Sequence, residues 1–121
     1  MTELDARAFT PVADDPNISV NWLEFYEGNF DDRIDAVCKD MSAERDVRRN
    51  HMLAILEVTE IRNIGADREQ NIDVTPDPRP DNDSHSLILG IPLDDAILHQ
   101  ELADVGSLRL AQVRPYKKKR L

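Results

Sequence analysis

Between Asp77 and Pro92 the chain reads D-P-R-P-D-N-D-S-H-S-L-I-L-G-I-P. Proline fixes φ at about −65° and pushes the residue before it out of the helical region. Pro78 and Pro80 therefore impose an extended, bent approach, while Gly90 and Pro92 close the apolar run that follows. The segment admits a short strand over Ser86 to Leu89 and excludes a helix. It also holds His85 in a defined place rather than on a loose tip.

Around this fixed point the rest of the chain divides by period. Ile34, Val37, Cys38 and Met41 fall at i, i+3, i+4 and i+7, one apolar stripe of a helix that Asp31 or Asp32 would cap and that ends near Ser42. Met52, Ala54, Leu56 and Val58 alternate with Leu53, Ile55, Glu57 and Thr59, which predicts a central strand that emerges at its end and continues through Ile61. Those four, with the helical stripe, are the expected core. Gly65, within Asn63 to Gln70, predicts a hairpin turn into a strand over Asn71 to Thr75. A second helix is expected from about Asp94, with Leu98, Leu102 and Val105 inward and Gly106 as its stop, followed by a last edge strand at Leu108, Leu110 and Val113. Near the start, a brief strand is expected at Arg7 to Thr10. Ile18, Val20 and Trp22 alternate with Ser19 and Asn21, which favours an extended segment that turns at Gly28 over the alternative of a helix capped by Ser19 with Trp22, Leu23 and Tyr26 on one face. Trp22 is expected as a core aromatic.

Strands interrupted by two helices, with one hairpin, give an α+β class: a small single domain with a mixed or antiparallel sheet and two helices packed on one face. An extended arm over residues 1–17, a domain over 18–113 and a basic tail over 114–121 are the expected divisions. A chain of 121 residues suffices for one modest core. One cysteine, Cys38, forms no internal disulfide, and no apolar run approaches the roughly 20 residues of a membrane span. The expected setting is soluble and cytoplasmic.

Charge is distributed unevenly. The net −9 conceals five cations and no carboxylate over residues 114–121, leaving ten cations against twenty-four carboxylates elsewhere, a formal −14. An acidic body repels phosphate, so nucleic-acid binding is disfavoured except through the tail.

Three residues carry candidate chemistry. His85, between Ser84 and Ser86 and after Asp81 and Asp83, has the residue type of a general base near neutral pH, or of a ring that ties the bend to its own backbone. Glu57 interrupts the apolar run and would need a partner if buried; otherwise it marks where the strand leaves the sheet. Arg7 beside Phe9 would pair with such a carboxylate or an anionic ligand, or stand as a plain surface arginine. His51, His85 and His99 show no ligand spacing, and four glycines build no phosphate loop, so no metal and no cofactor are expected.

R-A-F-x-P at Arg7 to Pro11, S-V-N-W-L-E at Ser19 to Glu24, and D-P-x-P with S-H-S-x-I-x-G-I-P within Asp77 to Pro92 resemble blocks of short bacterial proteins of uncharacterised activity. The resemblance spans roughly residues 7–104 and implies a bacterial, intracellular setting, with no catalytic residue attached to it. The leading expectation is an accessory or protein-binding component whose acidic body meets a protein partner. The alternatives are a small hydrolase or transferase using His85 with Glu57 and Arg7, and a nucleic-acid-associated protein recruited through Lys117 to Arg120.

Overall fold

The computed structural model describes residues 6–11, 16–43, 46–47, 52–113 and 115–116. Two short 3-10 turns, Ala6–Phe9 and Leu23–Phe25, accompany eight regular elements. These are β1 (Ile18–Asn21), α1 (Phe30–Met41), β2 (Met52–Ala54), α2 (Val58–Asp67), β3 (Asp73–Pro76), β4 (His85–Leu89), α3 (Ala96–Ser107) and β5 (Leu110–Gln112). Strand order is β1-β4-β3 in a three-stranded sheet and β2-β5 in a two-stranded one, both antiparallel. The class is α+β in a small single domain, as the periodicities predict. The chain forms two compact units, the first from residues 1–19, 54–75 and 87–110, the second from 20–53, 76–86 and 111–121.

In the first unit α3 packs on the Ala6–Phe9 turn and on α2. Leu98 and Leu102 are fully buried on α3, joined in the core by Phe9, Ile61, Ile72 and Ile88. The helix starts at the Asp95 cap, whose carboxylate accepts from the Leu98 amide at 3.1 Å and takes a two-pronged pair of bonds from Arg68 at 2.8 and 2.9 Å. It runs past Gly106, and Ser107 Oγ donates back to the Ala103 carbonyl at 2.8 Å. The expected stop at Gly106 is therefore one residue early, and this glycine is a buried residue of α3.

The expected strand through Ile61 is corrected here: β2 ends at Ala54, residues 55–57 belong to no regular element, and α2 begins at Val58. An apolar run with both faces filled fits a strand or a buried helix equally by period. The deciding signal is Glu57-x-x-Glu60, in which the Glu60 carboxylate accepts from the Glu57 amide at 2.8 Å and closes the helix start. The predicted hairpin turn at Asn63 to Gln70 is accordingly the last turns of α2 and the residues beyond it, and β3 starts at Asp73 rather than Asn71. Gly65 sits on the buried face, where a Cβ would stand 2.9 Å from Ile72 Cγ1. As a result Leu56 is only half-buried, while Met52 and Val58 are exposed. The expected strand at Arg7 to Thr10 is also replaced, by the 3-10 turn that places Phe9 in the core.

In the second unit α1 presents Ile34, Val37 and Cys38 to the core, with Met41 half-buried, as the stripe requires. Its cap is Asn29 rather than Asp31 or Asp32. The Asn29 side chain accepts from the Asp32 amide at 2.9 Å, and the Asp32 carboxylate accepts from the Asn29 amide at 3.2 Å. Val47 pairs with Tyr116 in an antiparallel bridge, and the Tyr116 hydroxyl donates to Asp35 at 2.6 Å. The remainder of the basic tail, Arg114 and Lys117 to Leu121, lies outside the described residues.

Candidate functional site

The proline-rich bend is closed by its own backbone. Arg79 and Asn82 form an antiparallel bridge, Asp81 takes a left-handed φ of 59°, and the Asp77 amide donates to the His85 carbonyl at 2.8 Å. His85 is only 3% exposed. Its Nδ1 lies 3.0 Å from the Asp77 carbonyl oxygen and 3.2 Å from the Asp77 carboxylate. A carbonyl only accepts, so Nδ1 carries a proton toward it, while Nε2 is buried without a hydrogen-bond partner among the described residues. The second buried histidine is held likewise. His99 Nε2 donates to the Pro92 carbonyl at 2.7 Å, and Nδ1 lies 3.3 Å from the Thr10 hydroxyl.

The other two candidates have different surroundings. Glu57 is exposed at the start of α2, in the first unit. Arg7 is exposed on the Ala6–Phe9 turn, also in the first unit, whereas His85 belongs to the second. The polar contacts of His85 go to Asp77, and the Glu57 amide is engaged by Glu60, so neither of these bonds joins one candidate to another. Among the described residues no group of three His, Cys, Asp or Glu side chains is arranged to hold a metal.

A denser polar constellation lies beside His85 in the second unit, centred on Ser84, which is 2% exposed. The Asn21 amide donates to Ser84 Oγ at 2.8 Å and to Asn82 Oδ1 at 2.6 Å. Tyr26 OH donates to Asp40 Oδ2 at 2.7 Å and lies 2.7 Å from Ser84 Oγ. With the tyrosine proton on Asp40, Ser84 must donate to the phenol oxygen, and the whole relay runs one way: Asn21 to Ser84 to Tyr26 to Asp40. The backbone joins it, since the Trp22 amide donates to the Ser84 carbonyl at 2.9 Å. Burial pushes the Tyr26 phenol well above its ordinary pKa, and the hydrogen bond to Asp40 and that carboxylate's charge add to the rise against the opposing Ser84 bond. Every proton in this relay has an acceptor, and the serine is out of reach of solvent. The arrangement is built to hold position rather than to deliver a nucleophile.

What it holds is a set of aromatic rings at the surface. Tyr26 meets Phe25 edge-on, with centroids 5.3 Å apart at 84°, and Phe25 meets Trp22 at 6.2 Å and 57°. Trp22 is 52% exposed and Phe25 44%, and Phe30, at the first position of α1, is 52% exposed. The expectation that Trp22 is a core aromatic is overturned. Strand β1 ends at Asn21, and the 3-10 turn that follows carries the ring outward. The residues the sequence reading passed over are thus Asn21, Trp22, Phe25, Tyr26 and Ser84. The legible signal for them was three aromatics within five residues, beside Glu24 and Glu27.

Comparison of the chain with protein-family models, with curated proteins and with solved structures finds no match. The geometry and the sequence are therefore what bear on function.

Proposed function

We propose that this chain is a protein-binding accessory component that meets its partner through the Trp22–Phe25 surface of the second unit. The observation that carries the reading is a half-exposed tryptophan and phenylalanine in mutual contact, anchored through Tyr26 to a buried hydrogen-bond relay. Isolated exposed apolar side chains are ordinary, whereas adjoining aromatic rings are characteristic of interface centres. Fully burying one such ring is worth about 1.5–3 kcal/mol. A surface already fixed in position loses little conformational freedom on binding. No helix among the described residues is long and apolar enough to cross a membrane. The bacterial, cytoplasmic setting belongs to the same reading and is supported by the motif resemblance and by the single cysteine.

The test is affinity capture from the native cell with the full chain and with a Trp22→Ala/Phe25→Ala variant. Both side chains are about half exposed and neither belongs to the buried core, so the variant should keep its fold, as checked by circular dichroism and urea midpoint. A partner retained by the unaltered chain should be lost by the variant. Recovery of the same partners in the same yield from both would overturn the reading.

A further inference from the structure

We infer that the partner segment seated on Trp22 and Phe25 is a basic peptide, rich in arginine, recognised jointly by ring faces and carboxylates. This inference rests on the binding role proposed above and specifies its chemistry. From Trp22 to Asp32 the chain carries four carboxylates, Glu24, Glu27, Asp31 and Asp32, and no cation. Asp32 is occupied by the helix cap. Glu24, Glu27 and Asp31 are exposed, and no hydrogen bond or ion pair among the described residues engages them. Trp22 and Phe25 present tilted faces in the same stretch.

The combination is selective. A neutral apolar partner would bury the rings but bring nothing to the carboxylates, and an acidic one would be repelled by them. A guanidinium satisfies both halves, since it stacks on an aromatic face and forks onto a carboxylate with its remaining N–H groups. An ammonium makes the ionic contact but lacks the planar stacking surface. Attraction also acts before contact, because the body outside residues 114–121 carries a formal −14 and steers cations inward.

Trp22 is the only tryptophan in the chain, so its emission reports directly on this surface. The full chain is titrated with blocked hexa-arginine, hexalysine and hexaglutamine peptides, at about 20 mM and about 150 mM salt. The expected result is a saturable change in emission with hexa-arginine, a weaker one with hexalysine and none with hexaglutamine. Hexa-arginine affinity should fall at the higher salt. It should also fall by about tenfold or more in a Glu24→Gln/Glu27→Gln/Asp31→Asn variant. Phe25→Leu should narrow the preference for arginine over lysine while the salt dependence persists.

No emission change with hexa-arginine would overturn the inference. So would undiminished affinity in the charge variant, which would mean that the attraction is spread over the acidic body. Captured partners that depend on Trp22 and Phe25 but dock through a neutral or acidic segment would refute the basic chemistry alone and leave the binding role intact. Arginine-selective binding without any such captured partner would instead refute the accessory role.

Discussion

Tyr26 shows how one side chain serves both halves of the surface, its ring supporting Phe25 and its hydroxyl tied to Ser84 and Asp40. The raised phenol pKa makes a pH prediction with a definite sign. In the unfolded chain the phenol ionises at about pH 10, and in the folded chain it ionises higher, so the folded state retains the proton more tightly. The stability this group contributes is complete below about pH 10 and is lost as pH rises from there through the folded value. Urea midpoints measured from about pH 8 to about pH 11 should therefore fall less steeply for Tyr26→Phe than for the unaltered chain. At neutral pH the same variant should be less stable by about 1–3 kcal/mol, because Ser84 and Asp40 lose a partner. Parallel alkaline slopes would show that the phenol is not held neutral by the fold.

At the scale of elements, the joints matter more than the propensities. Gly90 ends β4 with φ at +89°, and a Cβ there would stand 2.3 Å from the Asn71 carbonyl oxygen. Both the handedness and the close approach require glycine, and the obstacle is backbone rather than a flexible side chain. Gly90→Ala should cost at least about 2 kcal/mol by chemical denaturation, more than left-handed backbone alone accounts for. An unchanged midpoint would mean that the β4 exit and the Asn71 carbonyl separate without penalty. The proline-rich bend on the other side of β4 was legible because Pro78, Pro80, Gly90 and Pro92 act locally on φ and ψ. The change from β2 to α2 was not legible from apolar period, since Met52 to Val58 fits strand and helix alike, and the local signal that separates them is the Glu57-x-x-Glu60 cap.

Across the whole molecule the dominant quantity is charge. With a formal −14 outside residues 114–121, repulsion opposes phosphate at distances up to about the 8 Å Debye length of physiological salt. Fluorescence anisotropy with a labelled DNA duplex at about 150 mM salt should show no binding. Micromolar affinity that disappears when residues 117–121 are deleted would reverse this and favour recruitment to nucleic acid through the tail. The same acidity, concentrated around Trp22 and Phe25, suits a cationic peptide.

By itself the sequence determined what depends on neighbours along the chain: the α1 stripe of Ile34, Val37 and Cys38, the α3 stripe of Leu98 and Leu102, the β4 strand and the α+β class. These follow from local dihedral limits and from apolar spacing, which a few consecutive residues specify. It also fixed the bend that carries His85, without revealing that the ring would be buried or that its partner would be Asp77. Only the tertiary structure decided that Trp22 faces outward, and that Asn21, Tyr26, Asp40 and Ser84 meet. Tyr26 and Ser84 are 58 residues apart in the chain, and no periodicity encodes a contact of that separation. Burial of a polar group is permitted only where its partners arrive, and their arrival is a property of the packed chain rather than of any segment of it.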